Sequence, residues 1–387
     1  MKIAAIIGEY NPFHNGHLYQ ISKIKSMGYS VITIVSSSFT QRGTPSIIDK
    51  FTKTKLLLKS GVDLVIENPV VFSTSNAEIF AKGAIGILNS LGVVDKLVFG
   101  TEDDLKIISN INEKIEKNTF DINKKISKYL DEGLSFIVAR NKSYDFLTEN
   151  ELKIINKPNN ILAMEYLNSL KFFNSNIEPM SILRHKVSHH YDMVDKFASA
   201  SFIRENINNS ILIKNLIPKY SFDAISNSKL NNFNNYFDEF KYLLLSKKNL
   251  SIYTDYEIGL ENRFLKYIDE ENIYDFIDKV SSKRYTKSRI SRLICHSLLD
   301  INKELIKSLI GVAYVRILGT SKAGFNIINN LDENLFIINK FSKINNLNDD
   351  SKIKKIANKE IFATNLYNIK LKKDINEDFY NGIIIGD

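Results

Sequence analysis

The sequence reads as an α/β protein: a parallel β-sheet with helices on both faces, followed by a mainly helical second domain. Three observations lead there. Over roughly the first 200 residues, short continuous apolar runs alternate with segments of helical period. The connections between them are short, which suits strand–helix–strand units crossing over a parallel sheet. After about residue 205 the strand-like runs thin out, and Pro218 is the last proline of the chain.

Taken in order, residues 2–8 (KIAAIIG) are an apolar run that stops at glycine, the pattern of a strand buried on both faces. Residues 16–28 carry Leu18, Ile21, Ile24 and Met27 at helical spacing and end at Gly28. Residues 30–38 are β-branched and give strand two. Residues 46–61 read as a helix closed by glycine, 62–69 as strand three, 76–92 as a helix and 95–102 as strand four. Residues 159–173 read as a helix and 177–186 as a fifth strand. Helical patterns follow at 237–248, 260–270 and 291–309. The expected division is an α/β catalytic domain over 1–210 and a mainly helical domain over 211–387.

Bulk properties narrow the function. A chain of 387 residues exceeds one ordinary core, so two domains are expected. No stretch approaches the ~20 uninterrupted apolar residues of a membrane span, so no membrane partner is expected. The opening run has no small-residue cleavage site and reads as a strand rather than a secretory signal. Cys295 is the single cysteine, which excludes an internal disulfide and a cysteine metal site. A cytoplasmic location follows as the expectation. The 52 basic and 44 acidic residues leave a formal charge of +8, which permits a polyanionic partner without requiring one.

The densest chemistry lies directly after strand one, in GEYNPFHNGH (residues 8–17). His14 and His17 stand one helical turn apart, where the chain leaves the carboxyl end of a strand and starts a helix. Helix N-termini attract anions. Two imidazoles there can stabilise the charge that builds on phosphoryl oxygens during adenylyl transfer, without covalent work. Asn11-Pro12 sets the turn, and Gly16 permits a close backbone approach. A helix cap with a partly buried histidine would use the same residues; the strand-to-helix context favours the phosphate reading.

Other segments support or extend this. FASASFIRE (197–205) opens a helix with Ser199, Ser201 and Arg204, which suit β- and γ-phosphates or, more plainly, a serine cap and a solvated arginine. Pro158 starts another helix, with Asn159 either a cap residue or a contact to adenine or ribose. Arg184 closes the fifth strand, and Gly100 closes the fourth, where a missing Cβ leaves room for a nucleotide. SSSFTQRG (36–43) is expected to be a mobile loop offering Gln41 and Arg42 to a substrate anion. SSKRYTKSRISR (281–292) holds Lys283, Arg284, Lys287, Arg289 and Arg292 around Tyr285, with no acidic residue. That composition suits an RNA backbone or a solvated face. His185, His189 and His190 cluster without the spacing of a zinc site. Cys295 falls in an apolar helical pattern and reads as core.

Together, GEYNPFHNGH and ASASFIR resemble the two signatures of the HIGH-type nucleotidyltransferases. His14-x-x-His17 matches the first; Ser199, Ser201 and Arg204 match the second. In the same order along essentially the whole chain, EYNPFHNGH, QRG, GVDLVIE, PNNILAMEY, FASASFIR and KRYTKSRISR resemble segments of one bacterial family, the tRNA(Met) cytidine acetate ligases. The resemblance implies a Rossmann-like parallel sheet of the nucleotidyltransferase type. It implies an enzyme that activates acetate with ATP, giving acetyl-adenylate and pyrophosphate, and then acetylates N4 of the wobble cytidine of elongator tRNA(Met).

On that resemblance, ATP binds along Ile7, Gly8, Glu9, Tyr10, Asn11, Pro12, Phe13, His14, Asn15, Gly16, His17, Leu18, Tyr19 and Gln20, with further contacts from Gly100, Asn159 and Arg184. Catalysis falls to His14, His17, Ser199, Ser201 and Arg204 as stabilisers of transition-state charge, because a carboxylate nucleophile is already ionised. Mg2+ is expected with ATP, and no protein ligand for it stands out. The helical domain is expected to hold tRNA through Lys283, Arg284, Lys287, Arg289 and Arg292. No protein partner is implied. Two other readings share parts of the pattern. An adenylyltransferase for a small phosphorylated metabolite would leave the helical domain without a task. An RNA-binding protein without turnover would not need intact His14, His17 and Arg204.

Overall fold

The computed structural model describes residues 1–134, 136–184, 197–282 and 284–386, except for the side chain of residue 137. Strands β1 (Ile3–Gly8), β2 (Ser30–Ser36), β3 (Leu64–Asn68), β4 (Lys96–Thr101) and β5 (Glu178–Leu183) fall where the apolar runs predict them. Residues 185 and 186, expected to extend the fifth strand, lie outside the described residues. With β6 (Val315–Thr320), β7 (Ile337–Ile338) and β8 (Ile384–Ile385) they build one sheet in the order β5-β4-β1-β2-β3-β6-β7, with β8 also on β6.

Strands β5, β4, β1, β2 and β3 are mutually parallel, as expected. The next position departs from the expectation of a parallel sheet. β6 pairs antiparallel with β3, Leu64 opposite Thr320, although it comes from the part of the chain read as helical. Its six residues are all buried, so a short run inside a helical region supplies a central strand.

The order reverses at β1, which has β2 on one side and β4 on the other. In open α/β sheets the crevice outside the carboxyl ends at such a point takes the ligand. Helices Asn15–Ser26 and Lys50–Lys59 cover one face of the sheet, through Ile21, Ile24, Leu56 and Leu57 packed on Ala4, Ile6, Val31 and Val65. Helices Ala77–Leu91, Leu105–Lys117 and Pro158–Phe172 cover the other, on Ala5, Ile32, Ile34, Ile66 and Leu97.

The expected 46–61 helix starts only at Lys50. Ser46 N–H donates to the Ser38 carbonyl and Ile47 N–H to Asn11 Oδ1, which hold these residues extended until Asp49 caps Thr52. The 291–309 pattern is two helices, Lys287–Leu299 and Lys303–Leu309. Asp300 breaks it at φ +50°, and Asn302 caps the second by accepting from Leu305 N–H at 2.8 Å. Cys295 is buried in the first of these, and burial raises its thiol pKa.

The helices after residue 230 share a third core, and Phe39, Val70, Val71 and Phe72 of the N-terminal part belong to it. A buried charge cluster ties the same parts together. Lys50 donates to Glu67 at 2.7 Å and lies 2.6 Å from Asp378 and 3.3 Å from Glu360. Arg316 on β6 pairs with Asp378 at 3.1 Å, and the Tyr314 hydroxyl donates to Glu67 at 3.1 Å. Three carboxylates thus meet two cations. Burial, and then the neighbouring Glu67 charge, pushes Glu360 up to about 7. Among the described residues no helix is long and apolar enough to cross a membrane.

Candidate active site

The segment leaving β1 is held from several sides. Tyr10 takes φ +48°, the Asn11-Pro12 bond is cis, and Phe13 is fully buried. The Tyr10 hydroxyl is bonded to Thr33 Oγ1 at 2.7 Å. Asn15 N–H donates to the Leu216 carbonyl, its side-chain amide donates to that of Asn215, and Ser221 Oγ donates to that of Phe13. The chain after Arg204 therefore fixes the loop that carries the histidines.

His14 and His17 cap their own helix. Gly16 N–H donates to His14 Nδ1 at 3.1 Å, and His14 N–H donates to His17 Nδ1 at 3.3 Å. This is the reciprocal arrangement of a capping box, made with two imidazoles. The rings stack at 3.7 Å between centroids and 18° between planes, with Tyr10 edge-on to His17 at 4.8 Å. Because each Nδ1 accepts a backbone N–H, the proton of each neutral ring sits on Nε2. Burial, and then the Arg184 guanidinium, holds His14 down at about 3. Burial, His14 and Arg184 hold His17 well below its usual range. The pair is neutral at physiological pH and offers two Nε2–H donors.

A Cβ on Gly16 would stand 2.9 Å from His14 Cε1 and 3.0 Å from Nδ1. The close approach expected at Gly16 is therefore that of the His14 ring to the backbone.

Residues at the ends of β4 and β5 face this pair. Arg184 packs over Gly100, where an added Cβ would meet it at 3.2 Å. Arg184 donates to Asn159 Oδ1 at 2.9 Å, and the Asn159 side-chain amide donates to Glu102 Oε1 at 2.6 Å. Gly100, Asn159 and Arg184 thus form one cluster, and Glu102, which follows β4 directly, is a member that the sequence reading missed. On the other side Arg204 donates to the Asn11 carbonyl at 2.7 Å and lies 3.4 Å from Ser201 Oγ. Ser199 caps its helix by accepting from Phe202 N–H at 3.2 Å. Arg204 is within electrostatic range of Glu9 and Arg42, and its charge also depresses His14.

Several residues of the 7–20 stretch use their side chains elsewhere. Tyr10 and Phe13 are core, Leu18 packs against the same core, and Ile7 packs against the core on the other face of the sheet. Gln20 donates to the Val98 carbonyl at 3.2 Å, and Tyr19 lies edge-on to Phe197. The loop after β2 is a tied hairpin rather than a free one. Phe39 bridges to Pro45, Thr40 N–H donates to the Thr44 carbonyl, and Gln41 N–H donates to Glu9 Oε1 at 2.8 Å. Arg42 is exposed, and Gly43 (φ +72°) packs directly on the backbone of Ser291 and Arg292. Lys53 was also missed. It is fully buried, donates to the carbonyls of Glu9, Ser36 and Ser37, and is drawn down to about 7 by burial.

The basic segment therefore adjoins the histidine site through Gly43. Its charges, however, are paired. Arg284 and Arg289 reach Glu257 at 2.7 and 2.9 Å, Arg292 reaches Asp255 at 2.7 Å, and Lys287 reaches Asp278 at 2.6 Å. The side chains of Arg284 and Lys287 remain 58% and 64% exposed, whereas that of Arg292 is 12% exposed. Lys283 and the His185, His189 and His190 group lie outside the described residues.

Comparison with known proteins gives the family. The HIGH Nucleotidyl Transferase family model matches residues 1–380. The tRNA(Met) cytidine acetate ligase of Clostridium perfringens is 37% identical, covering all of both chains. The chain belongs to this family. The ligase of that name from a Thermoanaerobacter species is also 37% identical over 96% of each chain. The crystal structure of Thermotoga maritima TmcAL in its apo form shares 29% identity and covers both chains fully, with a TM-score of 0.89. The form bound with alpha-thio ATP gives 28% and 0.86, again over both full chains. The fold is thus that of the family throughout, antiparallel β6 included in the span matched.

Proposed function

We propose that this protein is an ATP-dependent acetate ligase that makes acetyl-adenylate and transfers the acetyl group to N4 of the wobble cytidine of elongator tRNA(Met). The observation that carries the reading is the stacked histidine pair at the switch point of the sheet, in a chain that matches such ligases end to end.

In the first step an acetate oxygen attacks the α-phosphorus of ATP, and the bond to the β-phosphate oxygen breaks, releasing pyrophosphate. Acetate needs no base, being ionised already. Charge grows on the phosphoryl oxygens, and the Nε2–H groups of His14 and His17 suit its stabilisation. Their neutral state matters, since donation needs no proton to be lost or gained. Arg204, Ser199 and Ser201 suit the leaving pyrophosphate. Gly100, Asn159 and Arg184 suit the nucleoside side, together with the backbone of residues 7–20. Mg2+ comes in with the triphosphate; among the described residues no group of three or more His, Cys, Asp or Glu is placed to hold a metal ion.

In the second step the cytidine N4 attacks the acetyl carbonyl, AMP leaves, and the amine gives up a proton. The acceptor is expected along the helical part, residues 211–387, with Arg284 and Lys287 more available to phosphates than Arg289 or Arg292. A cytoplasmic location fits a tRNA-modifying enzyme.

The test is incubation of the purified protein with ATP, Mg2+, labelled acetate and total tRNA, followed by nucleoside analysis. Label in N4-acetylcytidine, lost in His17→Ala, is the expected result. Absence of acetate-dependent pyrophosphate release, with release driven instead by a phosphorylated metabolite, would overturn it.

A further inference from the structure

The helical part presents one wet aromatic ring beside the arginines of the site. Tyr274 is 49% exposed, while Ile273, Phe276, Ile277 and Val280 of the same helix are buried. Its hydroxyl donates to Asn232 Oδ1 at 2.9 Å. Its backbone N–H donates to Asn272 Oδ1 at 3.1 Å, and Ile273 N–H donates to Asn234 Oδ1 at 2.8 Å. The phenol end and the backbone are both fastened, so the ring is held still although it faces water.

The anchorage runs inward through three hydrogen bonds. Asn231 N–H, beside Asn232, donates to the Ile47 carbonyl at 3.0 Å. Ile47 N–H donates to Asn11 Oδ1 at 2.9 Å, and Arg204 donates to the Asn11 carbonyl at 2.7 Å. Tyr274 is thereby registered against the loop that carries the histidines. Arg204 is within electrostatic range of both Tyr274 and Arg42. One aromatic ring and two guanidinium groups share the outer end of the site.

We propose that Tyr274 is a stacking platform for an unstacked nucleobase of the acceptor RNA, next to the base that is modified, with exposed Arg42 taking an adjoining phosphate. The chemistry is complementary. A base in a single-stranded loop has a free π-face, an aromatic side chain receives it without regard to sequence, and a nearby guanidinium neutralises the phosphate. A ring already immobilised loses little freedom when a base stacks on it. This assignment rests on the RNA-acceptor reading above.

The experiment uses the full-length protein with Tyr274→Ala and Tyr274→Phe. Two reactions are followed: acetate-dependent ATP–pyrophosphate exchange, and acetylation as a function of tRNA concentration. Exchange is expected to stay within twofold of the parent in both variants. KM for tRNA is expected to rise about 10- to 100-fold in the alanine variant, the worth of one stacked base, and to return near the parent value in the phenylalanine variant. A tRNA anticodon stem-loop with 2-aminopurine beside the wobble cytidine should show quenching with the parent and with Phe, and none with Ala. An unchanged KM in a folded alanine variant overturns the platform. So does equal loss in Ala and Phe, which would mark the hydroxyl bond as merely structural. Absence of exchange in the parent itself would instead overturn the ligase reading.

Discussion

Replacing Gly16 by alanine should nearly silence the enzyme while leaving it folded. The new Cβ would sit 2.9 Å from His14 Cε1 and 3.0 Å from Nδ1, closer than side chains tolerate. The ring cannot yield toward His17, which is stacked on it at 3.7 Å. It must therefore turn away and give up the bond from Gly16 N–H. On stability the effects nearly cancel. Alanine gains roughly 1 kcal/mol in helix propensity over glycine, and losing a capping bond costs about 1 kcal/mol. On chemistry they do not. A misplaced donor for developing oxyanion charge costs about 10²- to 10³-fold in kcat, or ~3–4 kcal/mol. Thermal unfolding beside acetate-dependent ATP–pyrophosphate exchange separates the two. Exchange within about threefold of the parent would refute the claim that the orientation of the His14 ring enters the chemistry.

Three further outcomes follow from the same geometry. Lys50→Met leaves Glu67, Glu360 and Asp378 with Arg316, which reaches Asp378, as the one remaining cation of the cluster, so denaturant unfolding should show a loss of about 3–5 kcal/mol; a loss below about 1 kcal/mol would mean that the carboxylates relax by taking up protons. His296 is buried between Thr74 Oγ1 and Thr254 Oγ1, at 3.1 and 2.8 Å, and burial lowers it to about 4. The unfolded chain binds that proton near 6.5 and the folded one does not until about 4, so this residue makes stability fall as pH drops across that window. The stability gap between the parent and His296→Gln should accordingly narrow on going from pH 7 to pH 4.5, and a pH-independent gap would contradict the assignment. Exchanging Arg284 and Lys287 for glutamine should weaken tRNA binding and shrink its salt slope by about 1–2, whereas Arg292→Gln, which leaves Asp255 only its longer pairing with Arg289 at 3.4 Å, should act on stability first.

What the sequence revealed and what it hid divide along a physical line. GEYNPFHNGH could be placed because each feature is local: an apolar strand, a turn and a helix start within about fifteen residues. Gly100, Asn159 and Arg184 were found one by one, and their union depends on β4 and β5 lying side by side, which no local pattern states. Glu102 does not stand out in the sequence, because a carboxylate after a strand has many uses until its partner is known. VRILGT reads as part of a helical region because its partner strand lies some 250 residues upstream. The basic segment contains no acid of its own, so nothing nearby announced that Asp255 and Glu257 would neutralise it. Pairings across long sequence distances are what periodicity cannot carry.

The late arrival of β6 bears on how the protein is made. When a ribosome has released the first 210 residues, β3 has one bare edge, and Lys50 and Glu67 lack Tyr314, Arg316, Glu360 and Asp378. An open strand edge invites pairing with other chains. The sheet that carries the histidine pair is therefore finished only when nearly the whole polypeptide has emerged, and it matures together with the helices that follow residue 210.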